Sequence, residues 1–280
     1  MTFWPSGKAF DWRNLGVRLV SALVLAPAAI VAAYFGGWVF LLMVGVGAAL
    51  LAIEWALMSA PRTPTRMAAM ITAAVVAAVC TLYSGHPVLA WIVALAGAGA
   101  AALVALPLKS RTGDAAFGVL YLATPALALM WLRGPAGDQS GLSWTILVLA
   151  TAWAADSAAF LVGSVVKGPK LWPRFSPNKT WSGFVGGLFA GAGAAWSVAE
   201  LTGVPSDSRI ALGAGLLCAF ATMAGDLLES MLKRRFGVKD SGDLIPGHGG
   251  LLDRVDGLLT AIVVMAGVRL GVETGAFAWL

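Results

Sequence analysis

Residues 38–59 read WVFLLMVGVGAALLAIEWALMS, a run in which Glu54 is the only charged side chain. A helix needs about 20 apolar residues to cross the hydrocarbon of a bilayer, so this run predicts a membrane span. The composition of the whole chain agrees, because 59% of its 280 residues are hydrophobic and only 12% are charged. A soluble fold with this composition would expose apolar patches and aggregate, and a disordered chain would carry more charge.

Apolar runs of this length recur along the chain and predict an all-α, polytopic integral membrane protein with about nine transmembrane helices. The first run is too long for the apolar part of a signal peptide, so we expect it to be a retained span. The predicted spans cover residues 15–36, 38–59, 67–84, 87–107, 115–132, 143–166, 183–201, 209–232 and 255–273.

The distribution of basic residues predicts the orientation. With the N-terminus in the cytoplasm, 16 of the 19 Lys and Arg residues fall in cytoplasmic segments, and Arg133, Arg209 and Arg269 fall outside. We therefore expect a protein of a bacterial-type inner membrane, with a cytoplasmic N-terminus. The net charge of +5 then belongs to the cytoplasmic face. There it sets the topology and attracts anionic membrane lipids, so no nucleic-acid partner is expected.

Loop chemistry divides the chain in two. Residues 1–142 have short loops and few polar residues inside spans, which predicts a scaffold of transmembrane helices. Residues 143–280 carry two long cytoplasmic loops and several carboxylates inside spans, which predicts the catalytic region. Glu54 is the exception in the first part, and its role stays open between a structural hydrogen-bonding group near the interface and a functional one. Gly183, Gly187 and Gly191 recur every fourth residue and predict a close-packed helix face.

The richest loop begins at the end of the eighth predicted span, and residues 230–256 read SMLKRRFGVKDSGDLIPGHGGLLDRVD. Its glycines bracket His248 just before the ninth helix, where backbone N–H groups can face an anion. Its cations form a cluster suited to phosphate. These cations are Lys233, Arg234, Arg235, Lys239 and Arg254.

Carboxylates flank this loop on both sides. Asp226, Glu229 and Lys233 fall on one face of the eighth helix, where a purely structural ion pair with Lys233 is the alternative to a functional site. Asp253 and Asp256 lie in the first turn of the ninth helix, where they favour the helix dipole. Together with Asp226 they predict instead a site for Mg²⁺, which takes carboxylates together with substrate phosphate oxygens.

The other long loop, residues 167–187, reads KGPKLWPRFSPNKTWSGFVGG. Lys179 and Thr180 could place a cation and a hydroxyl on phosphate oxygens, although the spacing is not that of a Walker A loop. Taken alone, its basic residues are more typical of a topology signal. Taken with the other loop, they favour Mg²⁺-dependent phosphate chemistry on a lipid at the cytoplasmic face. The non-enzyme alternative is a transporter, which is disfavoured because the polar residues crowd toward one face.

Residues 230–256 closely resemble the signature of the phosphatidate cytidylyltransferase (CDP-diglyceride synthase) family. In words, the signature reads Ser-x-aliphatic-Lys-Arg, four residues, Lys-Asp-x-small, two residues, aliphatic-Pro-x-His-Gly-Gly, then Asp-Arg-x-Asp. Residues 156–160 (DSAAF) and 176–180 (SPNKT) also look like family segments. The resemblance covers residues 150–257, whereas the first 140 residues match only as a run of spans.

The resemblance implies the reaction of CTP with phosphatidic acid to give CDP-diacylglycerol and pyrophosphate. It implies Mg²⁺ on Asp226 and Asp253, and a second cation near Asp256. The catalytic residues expected from it are Asp226, Asp253, Lys233 and Arg254. Those expected to bind substrate are Asp156, Ser176, Asn178, Lys179, Thr180, Arg234, Lys239, Asp240, His248, Gly249 and Gly250.

Two points stay open. A CTP-dependent polyprenol-type lipid kinase shares the membrane setting and the nucleotide, and differs in leaving a phospholipid and CDP as products. The oligomeric state stays open between a monomer and a homodimer.

Overall fold

The computed structural model describes residues 25–108, 111–173, 176–242 and 249–276. Helices dominate these residues, and one two-stranded antiparallel ribbon interrupts them. The helices are α1 Leu25–Phe35, α2 Gly37–Ser59, α3 Pro64–Tyr83, α4 Pro87–Ala105, α5 Thr112–Arg133, α6 Gln139–Val166, α7 Trp181–Thr202, α8 Ser208–Phe236 and α9 Leu252–Glu273. The strands are β1 Lys170–Trp172 and β2 Ser176–Thr180.

The predicted all-α membrane class is confirmed. Within the described residues, eight helices, α2 to α9, are long and apolar enough to cross a membrane, and α1 is a shorter apolar helix. The first predicted span begins at residue 15, and its residues 15–24 lie outside the described part of the chain. The count of nine spans therefore stays a prediction.

Helix α8 is longer than the span predicted over residues 209–232. It continues to Phe236, so Lys233, Arg234 and Arg235 lie in its last turn and not in a loop. Cations in the last turn interact favourably with the helix dipole, and Gly237, with φ +79°, closes the helix in the left-handed conformation. The basic cluster is thereby attached to a rigid element.

The ribbon between α6 and α7 was not predicted, since its residues were expected to form a loop. Lys170 pairs with Thr180 and Trp172 pairs with Ser176. Strand β2 runs directly into α7, whose first residue is Trp181. The ribbon therefore fixes residues 176–180 relative to the helices.

Glycines allow α6 and α7 to approach closely, as predicted. A Cβ atom on Gly183 would lie 2.5 Å from the carbonyl oxygen of Ala159, and one on Gly187 would lie 2.9 Å from that of Ala155. Larger residues would push the two backbones apart. The predicted packing role of these glycines is confirmed.

The buried core links the two predicted parts of the chain. Its larger cluster joins residues of α1 to α5 with Leu232 of α8 and Leu252 and Leu259 of α9. A second cluster joins α5 and α6 with α7, α8 and α9. The functional division at residue 142 stays a prediction, but the end of α8 and the start of α9 pack against the first part of the chain.

Polar contacts of basic residues mark the two ends of the helical bundle. At one end lie the α2–α3 turn, the ribbon and the facing ends of α8 and α9, together with the pairs Arg235–Asp114 and Lys179–Asp226. At the other end, Arg133 donates to the carbonyl oxygens of Ala33 and Tyr34. Among the described residues, Lys179 and Arg235 thus lie at one end and Arg133 at the other. The side of the membrane that each end faces stays a prediction.

Candidate active site

The ribbon between α6 and α7 contacts the C-terminal half of α8. Lys179, at the end of the ribbon, forms an ion pair with Asp226 of α8. Both side chains are about one quarter to one third exposed, at 26% and 33%. The structure therefore joins the two segments that the sequence treats separately.

About two turns further along α8, Lys233 links two carboxylates. Its Nζ lies 2.6 Å from Oε2 of Glu229 and 2.6 Å from Oδ1 of Asp253. Glu229 is buried, at 1% exposure of the side chain. On the predicted helical face, Lys233 therefore pairs with Glu229 and with Asp253 of α9. Asp226 pairs instead with Lys179.

Asp253 also holds the two flanks of the loop between α8 and α9. Its Oδ2 accepts hydrogen bonds of 3.1 Å from the backbone N–H groups of Ser241 and Gly250. Gly249 lies beside it with φ +81°, a conformation that suits glycine. The residues between these flanks, including the predicted substrate ligand His248, lie outside the described part of the chain.

Negative charge is concentrated around Asp226. Asp256 of α9 lies within electrostatic range of Asp226, Glu229 and Asp156. Oε1 of Glu229 is buried and has no hydrogen-bond partner among the described residues. Burying several carboxylates near one another is unfavourable unless cations compensate their charge.

The carboxylate oxygens fit the chemistry of a hard divalent cation such as Mg²⁺. Of the predicted ligands, Asp226 lies in the C-terminal half of α8, and Asp253 and Asp256 lie at the start of α9. Over the described ranges, no three carboxylate, histidine or cysteine side chains are grouped closely enough to hold a metal ion as they stand. Lys179 and Lys233 instead bind the carboxylates of Asp226 and Asp253.

Four predicted substrate ligands lie on strand β2. The hydroxyl of Thr180 caps α7, where it accepts a 3.2 Å hydrogen bond from Gly183 N–H. Asn178 is exposed, and its backbone carbonyl oxygen lies 3.5 Å from Nζ of Lys170. Ser176 is half-buried. Lys179 is the residue of this strand whose side chain reaches the carboxylates.

The remaining predicted residues surround this centre. Asp156 of α6 interacts electrostatically with Asp226 and Lys179. Gly250 is buried at the start of α9. Four further predicted residues are exposed near the facing ends of α8 and α9, and these are Arg234, Lys239, Asp240 and Arg254.

Arg235 does not belong with the basic cluster to which the sequence assigned it. It forms an ion pair with Asp114, which is buried in the first turn of α5. Nine residues separate Arg235 from Asp226, and this spacing places them on opposite faces of α8. Arg235 lines a separate cavity of about 230 Å³ with Arg62 and Arg111.

Comparison with known proteins identifies the family. The profile of the Cytidylyltransferase family matches residues 16–270. The chain belongs to this family. It is a nucleotidyltransferase-type enzyme, as the family resemblance of the sequence implied.

Two similar proteins carry the name phosphatidate cytidylyltransferase. The protein of Brucella suis biovar 1 (strain 1330) is 38% identical over 253 residues, which cover 90% of this chain and 92% of that protein. The protein of Staphylococcus aureus (strain COL) is 36% identical over 152 residues, which cover 54% of this chain and 58% of that protein.

The match to the cytidylyltransferase family extends into the first part of the chain, where the sequence predicted only a scaffold. Two buried acids of that part contact the end of α8 or the residues that flank the α8–α9 loop. Glu54 of α2 accepts hydrogen bonds from residues 241, 251 and 252, and Asp114 binds Arg235. The sequence indicated Glu54 because it is a lone carboxylate in a predicted span. Asp114 was missed because it precedes the predicted fifth span.

Proposed function

We propose that this protein transfers the cytidylyl group of CTP to phosphatidic acid, giving CDP-diacylglycerol and pyrophosphate. The transfer depends on Mg²⁺ and takes place at the cytoplasmic face of the membrane. The observation that carries the proposal is the Lys179–Asp226 ion pair. It attaches the first phosphate-suited loop to α8, the helix whose last turn begins the second, and α8 is long and apolar enough to span a bilayer.

The reaction needs cations that neutralise the charge of the two phosphates, and it needs no general base. A phosphate oxygen of phosphatidic acid attacks the α-phosphorus of CTP. A new P–O bond forms, and the bond from the α-phosphorus to the bridging oxygen of the β-phosphate breaks. The electron pair leaves with pyrophosphate. The attacking phosphate is already ionised at neutral pH, so the main barrier is repulsion between two anions.

The basic residues around Asp226 suit that task. Lys179 and Lys233 are held by carboxylates at the centre, while Arg234, Lys239 and Arg254 lie exposed around it. Anionic phosphates compete with the carboxylates for these cations, so binding of CTP would release Lys179 from Asp226. The freed carboxylate oxygens are then available as ligands.

Asp226, Asp253 and Asp256 would hold Mg²⁺, in line with the excess of carboxylates at this position. When bound, Mg²⁺ would polarise the α-phosphate and stabilise the charge that develops during transfer. The side chains of this protein orient the two phosphates and keep them in contact.

The location follows from the lipid substrate. Phosphatidic acid keeps its acyl chains in the bilayer and its phosphate at the surface, and the centre lies at the end of the helices. The predicted excess of basic residues at this end assigns it to the cytoplasmic side.

A double-label assay tests the reaction. Purified protein in lipid nanodiscs is given phosphatidic acid and CTP labelled with ³²P at either the α- or the γ-position. Cytidylyl transfer moves the α-label into lipid and the γ-label into pyrophosphate. A lipid kinase would move the γ-label into lipid and would overturn the proposal.

The Asp226→Asn variant, prepared in parallel, controls for co-purifying activity. Incorporation of the α-label should disappear with this variant. Equal incorporation by the variant and the original protein would assign the activity to a contaminant and would also count against the proposed site.

A further inference from the structure

Glu54 is a buried carboxylate in the chain's first part, yet its hydrogen-bond partners among the described residues all belong to the α8–α9 region. Its exposed fraction is 0%. Oε1 accepts a 2.6 Å hydrogen bond from Leu251 N–H, and Oε2 accepts one of 2.6 Å from Leu252 N–H. Oε2 also lies 3.1 Å from the hydroxyl of Ser241, which donates to it. A carboxylate in a span is costly unless such donors compensate it.

The partners of Glu54 are groups that a helix start leaves unpaired. The first N–H groups of a helix have no acceptor within the helix, and a side chain at the N-cap usually supplies one. The N-cap residue of α9 is Leu251, which makes no side-chain hydrogen bond. Glu54 therefore caps α9 from a different helix, where the helix dipole also favours a negative charge.

The same contacts hold together the two ends of the loop between α8 and α9. We call this closed base, with Ser241 on one side and Gly250 on the other, the loop neck. Ser241 on one flank donates its hydroxyl to Glu54 and its N–H to Asp253. On the other flank, Gly250 donates to Asp253. A Cβ atom on Gly250 would lie 1.8 Å from the Ser241 hydroxyl and 2.8 Å from Oε2 of Glu54. The two carboxylates thus hold both flanks together, and no side chain fits between them.

We propose that Glu54 is a positioning residue for the reaction: it fixes the start of α9 and the loop neck, and thereby the placement of Asp253 and Lys233. This inference rests on the proposed function for its kinetic consequence. It gives the first part of the chain a role in the site, because Glu54 acts through the backbone of Leu251 and Leu252 and not by contact with substrate.

The chemistry requires a carboxylate at this position. Three donors converge on the two oxygens of Glu54. Each oxygen faces one backbone N–H group, from Leu251 or Leu252, which cannot accept a hydrogen bond. Glutamine would present an NH₂ group to at least one donor, so Glu54→Gln replaces a hydrogen bond by a repulsive contact of nearly the same size and shape. Leaving a buried donor unpaired is more costly than losing an exposed hydrogen bond.

The test compares the full-length Glu54→Gln protein with Glu200→Gln in nanodiscs. Glu200 is an exposed glutamate on α7 that accepts a hydrogen bond from Ser208 near the other end of the bundle. The first readout needs no substrate: amide hydrogen exchange of peptides that cover residues 249–254. We expect exchange there to become about tenfold faster or more in Glu54→Gln, with α4 unchanged as an internal reference.

The second readout is the separation of KM for CTP from kcat, normalised to the folded fraction. A displaced loop neck should raise KM for CTP and lower kcat, so that kcat/KM falls about 100-fold. A merely structural role would reduce the amount of folded protein and leave both constants unchanged in what remains. Unchanged exchange, or unchanged constants, in Glu54→Gln overturns the inference.

If Glu54→Gln does not fold, Ser241→Ala provides the milder test. It removes one of the three donors and keeps the backbone hydrogen bond to Asp253. We expect a smaller change in the same direction in both readouts, and normal exchange with normal kinetics overturns the inference. If the unmodified protein transfers no cytidylyl group, the proposed function fails, whereas the exchange experiment still decides whether Glu54 fixes α9.

Discussion

Lys233 of α8 lies 2.6 Å, from Nζ to Oδ1, from Asp253 in the first turn of α9. The same ammonium group contacts the buried Glu229 one turn earlier. One cation therefore compensates two carboxylates on two helices, and Asp253 uses its second oxygen to hold the loop flanks. The pair connects α8, which carries the basic cluster and Asp226, to α9, which carries the predicted metal ligands Asp253 and Asp256.

Replacing Lys233 by methionine should destabilise the protein strongly. The substitution keeps the apolar length of the side chain but leaves two carboxylates uncompensated, and breaking a buried ion pair in this way costs about 3–5 kcal/mol. Thermal unfolding of the purified protein measures the loss. The double variant with Glu229→Gln should recover part of it, and a single variant as stable as the original protein would contradict this account of the pair.

Asp226→Asn and Asp253→Asn should each abolish Mg²⁺-dependent turnover while leaving membrane insertion intact. Both substitutions remove an anionic oxygen ligand with little change in volume. The measurement is CDP-diacylglycerol formed per mole of folded protein. Asp207→Asn, at the start of α8 and the opposite end of the bundle, is the matched control. Near-normal activity of both site variants would rule out the metal assignment.

Removing divalent cations should have the same effect on the unmodified protein. EDTA should reduce CDP-diacylglycerol formation to background, and excess MgCl₂ should restore it, because the carboxylates around Asp226 are assigned to a hard cation. The protein should remain monodisperse in EDTA, since Lys179 and Lys233 already bind Asp226 and Asp253. Full turnover in EDTA would exclude a dissociable metal.

Gly250→Ala should disrupt the loop neck although it adds a single methyl group. The new Cβ atom would meet the Ser241 hydroxyl at 1.8 Å, so the flanks must separate. We expect a loss of turnover of about 100-fold. Gly193→Ala in α7 is the matched control, because a Cβ atom there meets nothing within 4 Å. Equal activities of the two variants would contradict a closed neck.

Arg62→Ala should leave turnover essentially unchanged, whereas Lys179→Ala should abolish it. Arg62 lines the cavity that Arg235 shares, on the face of α8 opposite Asp226, while Lys179 binds Asp226 directly. Initial rates at saturating and at low CTP compare the two variants. A large loss in Arg62→Ala would place that cavity within the active site.

Several elements of the site could be predicted because they are local in sequence. Asp226, Glu229 and Lys233 share a helical face whatever surrounds the helix, since the spacing alone places them there. Gly183 and Gly187 indicated a close helix contact for the same reason. The ribbon between α6 and α7 could not be predicted, because β1 and β2 are short and pair only with each other.

The sequence could not predict which carboxylate each basic residue of the site binds. The sequence placed Arg235 among the phosphate-binding cations, but the neighbour that binds it, Asp114, is 121 positions away in the chain. Likewise, nothing near Lys179 in the sequence indicates that its partner is Asp226. Such contacts depend on how the helices pack against one another.

The sequence by itself determined the membrane class and the family, because hydropathy and the signature of residues 230–256 are properties of contiguous residues. The tertiary structure decided that Glu54 acts at the start of α9. Glu54 and Leu252 are 198 positions apart, and only the packing of α2 beside the α8–α9 loop makes the buried carboxylate the acceptor that Leu251 and Leu252 lack.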